Sequence, residues 1–221
     1  MDIQTFVSRE KLRADSFRLL AACFYEPQRD MFEEGLLHNL AGSLKMICPG
    51  AVDYAEEMIK LLPLHSDEEL LVDYSRLFVG PTGLLAAPYG SVYLDKDRCV
   101  MGDSTMAVIA FYNSHGLVMD GDFKEMPDHI AVELEFMYYL AYKEIEALEL
   151  PDMTAAAAAL ESQEFFINKF LRPWADKFAG KMMEGAETAF YRALAGCLSA
   201  LLYRSDIRSS LPEELKATAA I

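Results

Sequence analysis

Apolar residues recur three and four positions apart through almost all of this chain, and the one long stretch without that pattern covers residues 80–102. A spacing of three and four puts side chains on one face of an α-helix, whereas strands alternate at every second residue. The sequence therefore predicts an all-α protein: a single-domain helical bundle over residues 1–221, its halves joined through a loop-rich central hinge. A hydrophobic fraction of 52% is enough to build its core.

Helices are predicted over residues 6–25, stopped by Pro27, over 31–44, and over 51–62 beyond a C-P-G break at Cys48. Ser66 and Glu69 match a capping box, opening a helix through Leu70, Leu71, Tyr74, Leu77 and Phe78 that Gly80 and Pro81 close. In the aperiodic stretch, G-P-T-G and A-P-Y-G are turn sequences, and residues 91–94 read as a short extended piece. Irregular segments of this length inside compact domains are often functional. Ser104 and Thr105 restart a helix that ends near His115, and a second loop covers residues 117–126. Pro151 and Asp152 break the next helix and cap the one after, which carries an alanine run and continues to Leu171. Arg172, Pro173 and Trp174 read as a kink or break. The last helix spans residues 186–204, with Phe190, Leu194, Cys197, Leu198 and Leu201 on one face, and the polar tail from Ser205 reads as frayed.

Residues 125–137, E-M-P-D-H-I-A-V-E-L-E-F-M, place an Asp-His pair at the mouth of an amphipathic helix. Pro127 suits the first helical position and Asp128 the first turn, where the helix dipole favours a negative charge. Ile130, Leu134, Met137, Ala141, Ile145 and Leu148 form one apolar stripe, with Glu133, Glu135, Lys143, Glu144 and Glu146 largely off it. Two readings of the pair stand side by side. In one, it is a recognition point or an acid–base pair. In the other, Asp128 caps backbone N–H groups and His129 satisfies a loop carbonyl.

The net charge of −15 and the lack of a basic stripe disfavour nucleic acid; solubility, or attraction to a basic partner, accounts for the charge. No apolar run approaches the roughly 20 residues of a membrane span, and the N-terminus lacks the order of a secretory signal, so the expected location is cytoplasmic without membrane insertion. Cys23, Cys48, Cys99 and Cys197 form no metal or redox spacing, and Cys23 and Cys197 read as small buried hydrophobes. Phosphate-binding glycine motifs and a nucleophile elbow are absent. Glu125, His129 and Glu133 fall at metal-like intervals, but Glu125 precedes the proline; no metal, cofactor or catalytic residue is expected. Aromatic residues supply another clue. Tyr74 and Phe78 read as core, whereas Tyr89, between Pro88 and Gly90, reads as exposed.

Four segments occur in one order: D-Y-S-R-L-F-V-G-P from Asp73, A-P-Y-G-S-V-Y-L-D from Ala87, G-D-S-T from Gly102, and the stretch from Glu125. Together they resemble the TorD/DmsD family of cytoplasmic molybdoenzyme chaperones, the redox enzyme maturation proteins. That resemblance implies an all-helical fold of the TorD-like type and a non-enzymatic function. The chaperone binds the twin-arginine signal peptide, and the apo-form, of a molybdopterin oxidoreductase, and delays export until the cofactor is inserted. It also implies a route to homodimers by exchange of halves about a hinge at residues 80–127. The implied peptide-binding residues are Asp128, His129, Tyr74, Leu77, Phe78, Pro88, Tyr89, Gly90 and Gly102. Relatives often carry tryptophan at the position of Tyr89, so the aromatic face is kept with a different pocket size. The sole tryptophan, Trp174, falls outside these segments. A groove of Leu77, Phe78 and Tyr89 for the peptide's apolar part, and an Asp128–arginine pair, are the expected contacts. The alternatives are a chaperone of the nitrate-reductase-assembly type and a nucleotide- or metal-dependent hydrolase.

Overall fold

The computed structural model describes residues 1–80, 83–96, 100–204 and 211–218. Among them the architecture is all-α. Its first half comprises α1 (Ile3–Ala22), α2 (Arg29–Glu33), α3 (Leu36–Ile47), α4 (Pro49–Leu61), α5 (Asp67–Tyr74), α6 (Ser91–Leu94) and α7 (Asp103–Ser114). The second half holds α8 (Ile130–Glu149), α9 (Met153–Phe166), α10 (Arg172–Gly185), α11 (Ala189–Arg204) and α12 (Glu213–Thr218). Helix α8 lies between α1 and α9, α4 packs on α11, and α3 bridges α1 and α4. One apolar core runs through these layers, with Phe6, Phe17, Phe166, Trp174, Phe178 and Phe190 fully buried. Each such side chain contributes roughly 1.5–3 kcal/mol by leaving water.

Local signals explain most of the boundaries. Asp2 caps α1 and Asp152 caps α9 through side-chain oxygens that accept backbone N–H groups. The capping box at Ser66 and Glu69 forms as its spacing predicts. The expected helix over residues 31–44 is instead two, because Gly35 takes a left-handed φ of +97° and turns the chain between α2 and α3. The apolar stripe of α8 is buried throughout, from Ile130 to Leu148.

Other expectations give way to tertiary contacts. Helix α8 begins at Ile130, so Pro127 and Asp128 precede it and His129 is its N-cap. Residues 91–94 are not extended but form the helical turn α6. At Pro173 the helical path does not break. The turn Ile167–Leu171 widens so that the Arg172 N–H reaches the carbonyl of Ile167, and Pro173 falls in the first turn of α10, where its missing N–H is harmless. Beyond Ser205, which with Pro81 and Cys99 lies outside the described residues, α12 forms and packs on α9 through buried Leu215. Glu133 and Glu144 are buried, although both lie largely off the apolar stripe in the helical period.

Glu144 owes its burial to a partner network. Arg13 of α1 donates to Glu10 through Nε (2.6 Å), and through Nη2 to Glu144 (3.2 Å) and to Gln163 Oε1 (2.5 Å). Gln163 in turn donates to Glu144 (2.7 Å), so one guanidinium ties α1, α8 and α9 together in the interior. Cys23 and Cys197 are buried as expected, and burial pushes the Cys197 thiol up to about 12, which keeps it protonated and inert.

Candidate peptide-binding site

The segment after Ala87 and the start of α8 meet through backbone bonds. The Gly90 N–H donates to the Asp128 carbonyl and the Ile130 N–H to the Pro88 carbonyl, both at 2.9 Å, so Tyr89 and His129 stand opposite each other as an antiparallel bridge. Asp128 is 1% exposed. Its Oδ2 accepts from the Ser91 N–H (2.8 Å) and from the Thr105 hydroxyl (3.1 Å), joining α6, α7 and the mouth of α8. A capping carboxylate supplied from residues far along the chain is what turns residues 91–94 into a helix. Of the two oxygens expected to grip an arginine as a pair, Oδ2 is thus already engaged inside the fold, and Oδ1 is buried without a hydrogen-bond partner.

His129 accepts the Ala131 N–H at Nδ1 (3.1 Å). A ring nitrogen that accepts carries no proton, so the proton sits on Nε2, which faces Glu125 Oε2 at 3.9 Å. His129 therefore caps its own helix rather than serving a loop carbonyl. Burial pushes its pKa down to about 4, leaving the ring neutral at physiological pH. Tyr25, at the end of the first helical segment, stacks on the imidazole (centroids 6.1 Å apart, planes at 14°), and Tyr89 meets it edge-on at 5.5 Å. The Tyr25 hydroxyl donates to Glu135 Oε1 at 3.0 Å. Burial, followed by the negative charges of Glu125 and Glu26, pushes the Tyr74 phenol up to about 12. Burial and then Glu135 and Glu125 act the same way on Tyr25. The result is a half-buried aromatic patch of Tyr25 and Tyr89 around His129, edged by Glu125 and Glu135.

The remaining predicted site residues lie deeper. Leu77 is 0% and Phe78 3% exposed, so the expected groove of Leu77, Phe78 and Tyr89 is not open in this structure. Phe78 packs edge-on against Phe24, Tyr74 and Tyr191 beneath the patch. Pro88 and Gly90 are also buried. Tyr89 is half-buried rather than exposed, because its ring closes on His129. At Gly102 a Cβ would run into the Asp95 carboxylate, which accepts the Ser104 N–H and hydroxyl (3.3 and 2.9 Å) at the start of α7. The acid that opens the D-Y-S-R segment is likewise a cap: Asp73 accepts from the Glu187 and Thr188 N–H groups (3.1 and 2.7 Å) just before α11.

Tyr25, Glu135 and Trp174 were not among the predicted site residues. Nothing in the helical period around Tyr25 distinguishes it from core. Trp174 lies outside the four segments in sequence yet holds two of them together. Its Nε1 donates to buried Glu133 (3.1 Å), its ring stacks on Tyr93 (5.7 Å), and a Cβ at Gly90 would approach that Nε1 to 3.0 Å. Burial raises the Glu133 carboxyl well above the usual range, against the pull of the Trp174 N–H. Glu133 is therefore turned to Trp174, not to His129 and Glu125, and no group of three metal-ligating side chains forms among the described residues. Trp174→Phe is expected to cost about 2–4 kcal/mol, since it strips a buried acid of its donor and leaves a gap. Urea unfolding followed by circular dichroism checks this without needing the lost fluorophore.

Turns and helix caps thus converge on an aromatic–acidic patch in an all-helical layout. The fold recurs in a crystal structure from Archaeoglobus fulgidus described as a redox enzyme maturation protein, with a TM-score of 0.52 and 22% identity, covering 88% of this chain and 93% of that one. The family model described as nitrate reductase delta subunit matches residues 47–180. The Tat proofreading chaperone DmsD of Salmonella typhimurium is 24% identical over 212 residues, spanning 96% of this chain and 97% of its own. The chaperone protein TorD of Vibrio cholerae is 30% identical over 194 residues, spanning 83% and 85%. The chain belongs to the nitrate reductase delta subunit family, the TorD family. Among the described residues no helix is long and apolar enough to cross a membrane.

Proposed function

We propose that this chain is a cytoplasmic chaperone for the maturation of a molybdopterin oxidoreductase, and that it reads the arginine pair of the client's twin-arginine signal peptide at the patch around His129. The relatives named DmsD and TorD support the first part of this reading. A single observation carries the second: a neutral imidazole stacks on Tyr25 and meets Tyr89 edge-on, with Glu125 facing its Nε2 and Glu135 holding the Tyr25 hydroxyl. Planar guanidinium groups stack on aromatic faces and pair with carboxylates, which an ammonium does less well. The overall charge of −15 speeds the encounter with a basic peptide. Asp128, Pro88, Gly90 and Gly102 hold the patch in shape, and Tyr74, Leu77 and Phe78 support it from below. No catalytic step is assigned to any of them.

Calorimetric titration with the client's signal peptide tests this. Changing both peptide arginines to lysine is expected to weaken binding by about tenfold or more, roughly 1.4 kcal/mol. Glu125→Gln should weaken it with a shallower salt dependence. His129→Asn retains a side-chain oxygen able to cap α8, so thermal stability should hold while affinity falls. Equal affinity for the arginine and lysine peptides sinks the assignment. Binding only to the folded apo-enzyme favours the nitrate-reductase-assembly type of chaperone instead.

A further inference from the structure

A cavity of about 250 Å³ opens between the loop at residues 117–126 and the outer face of α8. We propose that it seats one apolar side chain of the same client peptide, two or three residues beyond the arginine pair. This rests on the peptide-binding reading above and extends it to a second contact.

The lining argues for an apolar occupant. Tyr112, Leu117, Met119, Val132, Phe136 and Tyr139 form the walls. Val118 and Phe123, on the loop that closes the cavity, are 83% and 42% exposed. Exposed apolar side chains gathered beside an apolar hollow form the kind of surface on which an apolar group docks. The charge argues for a cationic peptide as its bearer. The carboxylic acids of the lining are Asp120 and Glu135, and no lysine, arginine or histidine stands beside them there.

Glu135 joins the cavity to the aromatic patch. Glu135 lines it and also accepts the hydroxyl of Tyr25, whose ring stacks on His129. His129, Val132, Phe136 and Tyr139 succeed one another along one face of α8, at spacings of three, four and three. With a rise of about 1.5 Å per residue, Val132 and Phe136 lie about 4.5 and 10.5 Å along the axis from His129. An extended peptide covers about 3.3 Å per residue, so two or three residues bridge that distance. An arginine at the patch and an apolar side chain in the cavity are then held by one short extended strand.

The test is a coupled series of peptides and protein variants, read by calorimetry. In the peptide, the apolar residue two or three positions after the arginines is changed to alanine. In the protein, Val132→Phe fills the cavity, and Val118→Asp puts a charge at its lip on a side chain too exposed to affect folding. The unaltered protein is expected to bind the alanine peptide at least about fivefold more weakly than the parent. Each variant should bind the parent peptide more weakly by a similar factor and no longer distinguish it from the alanine peptide. If both variants retain the full penalty for alanine, the apolar residue sits elsewhere and the cavity assignment fails, while a surviving preference for arginine over lysine leaves the chaperone reading standing. If no signal peptide binds, the two fail together.

Discussion

Arg13→Ala is expected to destabilise the fold by about 3–5 kcal/mol, because it removes the cation that offsets two buried carboxyl groups. Arg13, Glu10 and Glu144 are 4%, 3% and 0% exposed, so no water replaces the lost guanidinium. With both acids ionised, one arginine leaves the cluster with a surplus negative charge. Burial, and then the charge of Glu10, push Glu144 up to about 8, with Arg13 and Gln163 acting the other way. Its folded-state pKa thus lies above the ordinary value of 4.5, and the sign of the pH dependence follows. Between these two values the native state holds a proton that the unfolded chain has released, so stability falls as pH rises. The contribution is fully present below about pH 4.5 and is lost as pH climbs through about 8. Glu144→Gln mimics the protonated acid. It should change stability at neutral pH by no more than about 1 kcal/mol and flatten this part of the profile. Urea unfolding of the three proteins from pH 5 to 8 measures both effects. A slope unchanged in Glu144→Gln would show that the proton resides elsewhere in the cluster.

The second large effect separates two roles for Asp128. Its Oδ2 alone accepts both the Ser91 N–H and the Thr105 hydroxyl. Asp128→Asn can place its carbonyl oxygen at that position and lose neither bond. Asp128→Ala loses both and strands a backbone donor in the interior, at a cost of about 3 kcal/mol. The alanine variant should therefore melt earlier and bind signal peptide poorly, since α6 and the segment around Tyr89 are no longer held against α8. The asparagine variant should keep most of its stability and its binding. If the carboxylate instead paired directly with an arginine of the peptide, both substitutions would weaken binding alike while stability followed only the alanine change. Calorimetry together with thermal melts of both variants decides between them.

Much of the local architecture was legible in residue order. Ser66 and Glu69 lie three apart, and so do Asp152 and the N–H it caps, so the capping interactions are written within one turn of chain. The stripe from Ile130 to Leu148 is a periodicity and needs no knowledge of what it packs on. The four segments in order announced the family, which the match over residues 47–180 supports. Less of the candidate site was legible. Asp128 and His129 stand out in the sequence as a pair, but the partners of Asp128 do not, because Ser91 and Thr105 lie 37 and 23 residues away. Tyr25, just past the end of α1, stacks on a residue remote from it in sequence, and the apolar periodicity that precedes it gives no sign of that contact.

The helical class, most helix starts and the buried face of α8 follow from residue order, since backbone hydrogen bonds, caps and apolar periodicity act over three or four residues. Packing between distant segments makes Glu133 and Glu144 interior and residues 91–94 helical, and brings Tyr25 and Glu135 to the surroundings of His129. Each of those outcomes depends on a donor, a charge or a ring supplied from a distant part of the chain, as Arg13 supplies Glu144 from 131 residues away. A buried polar group takes whatever partner the fold brings to it, and that pairing is a property of packing rather than of sequence order.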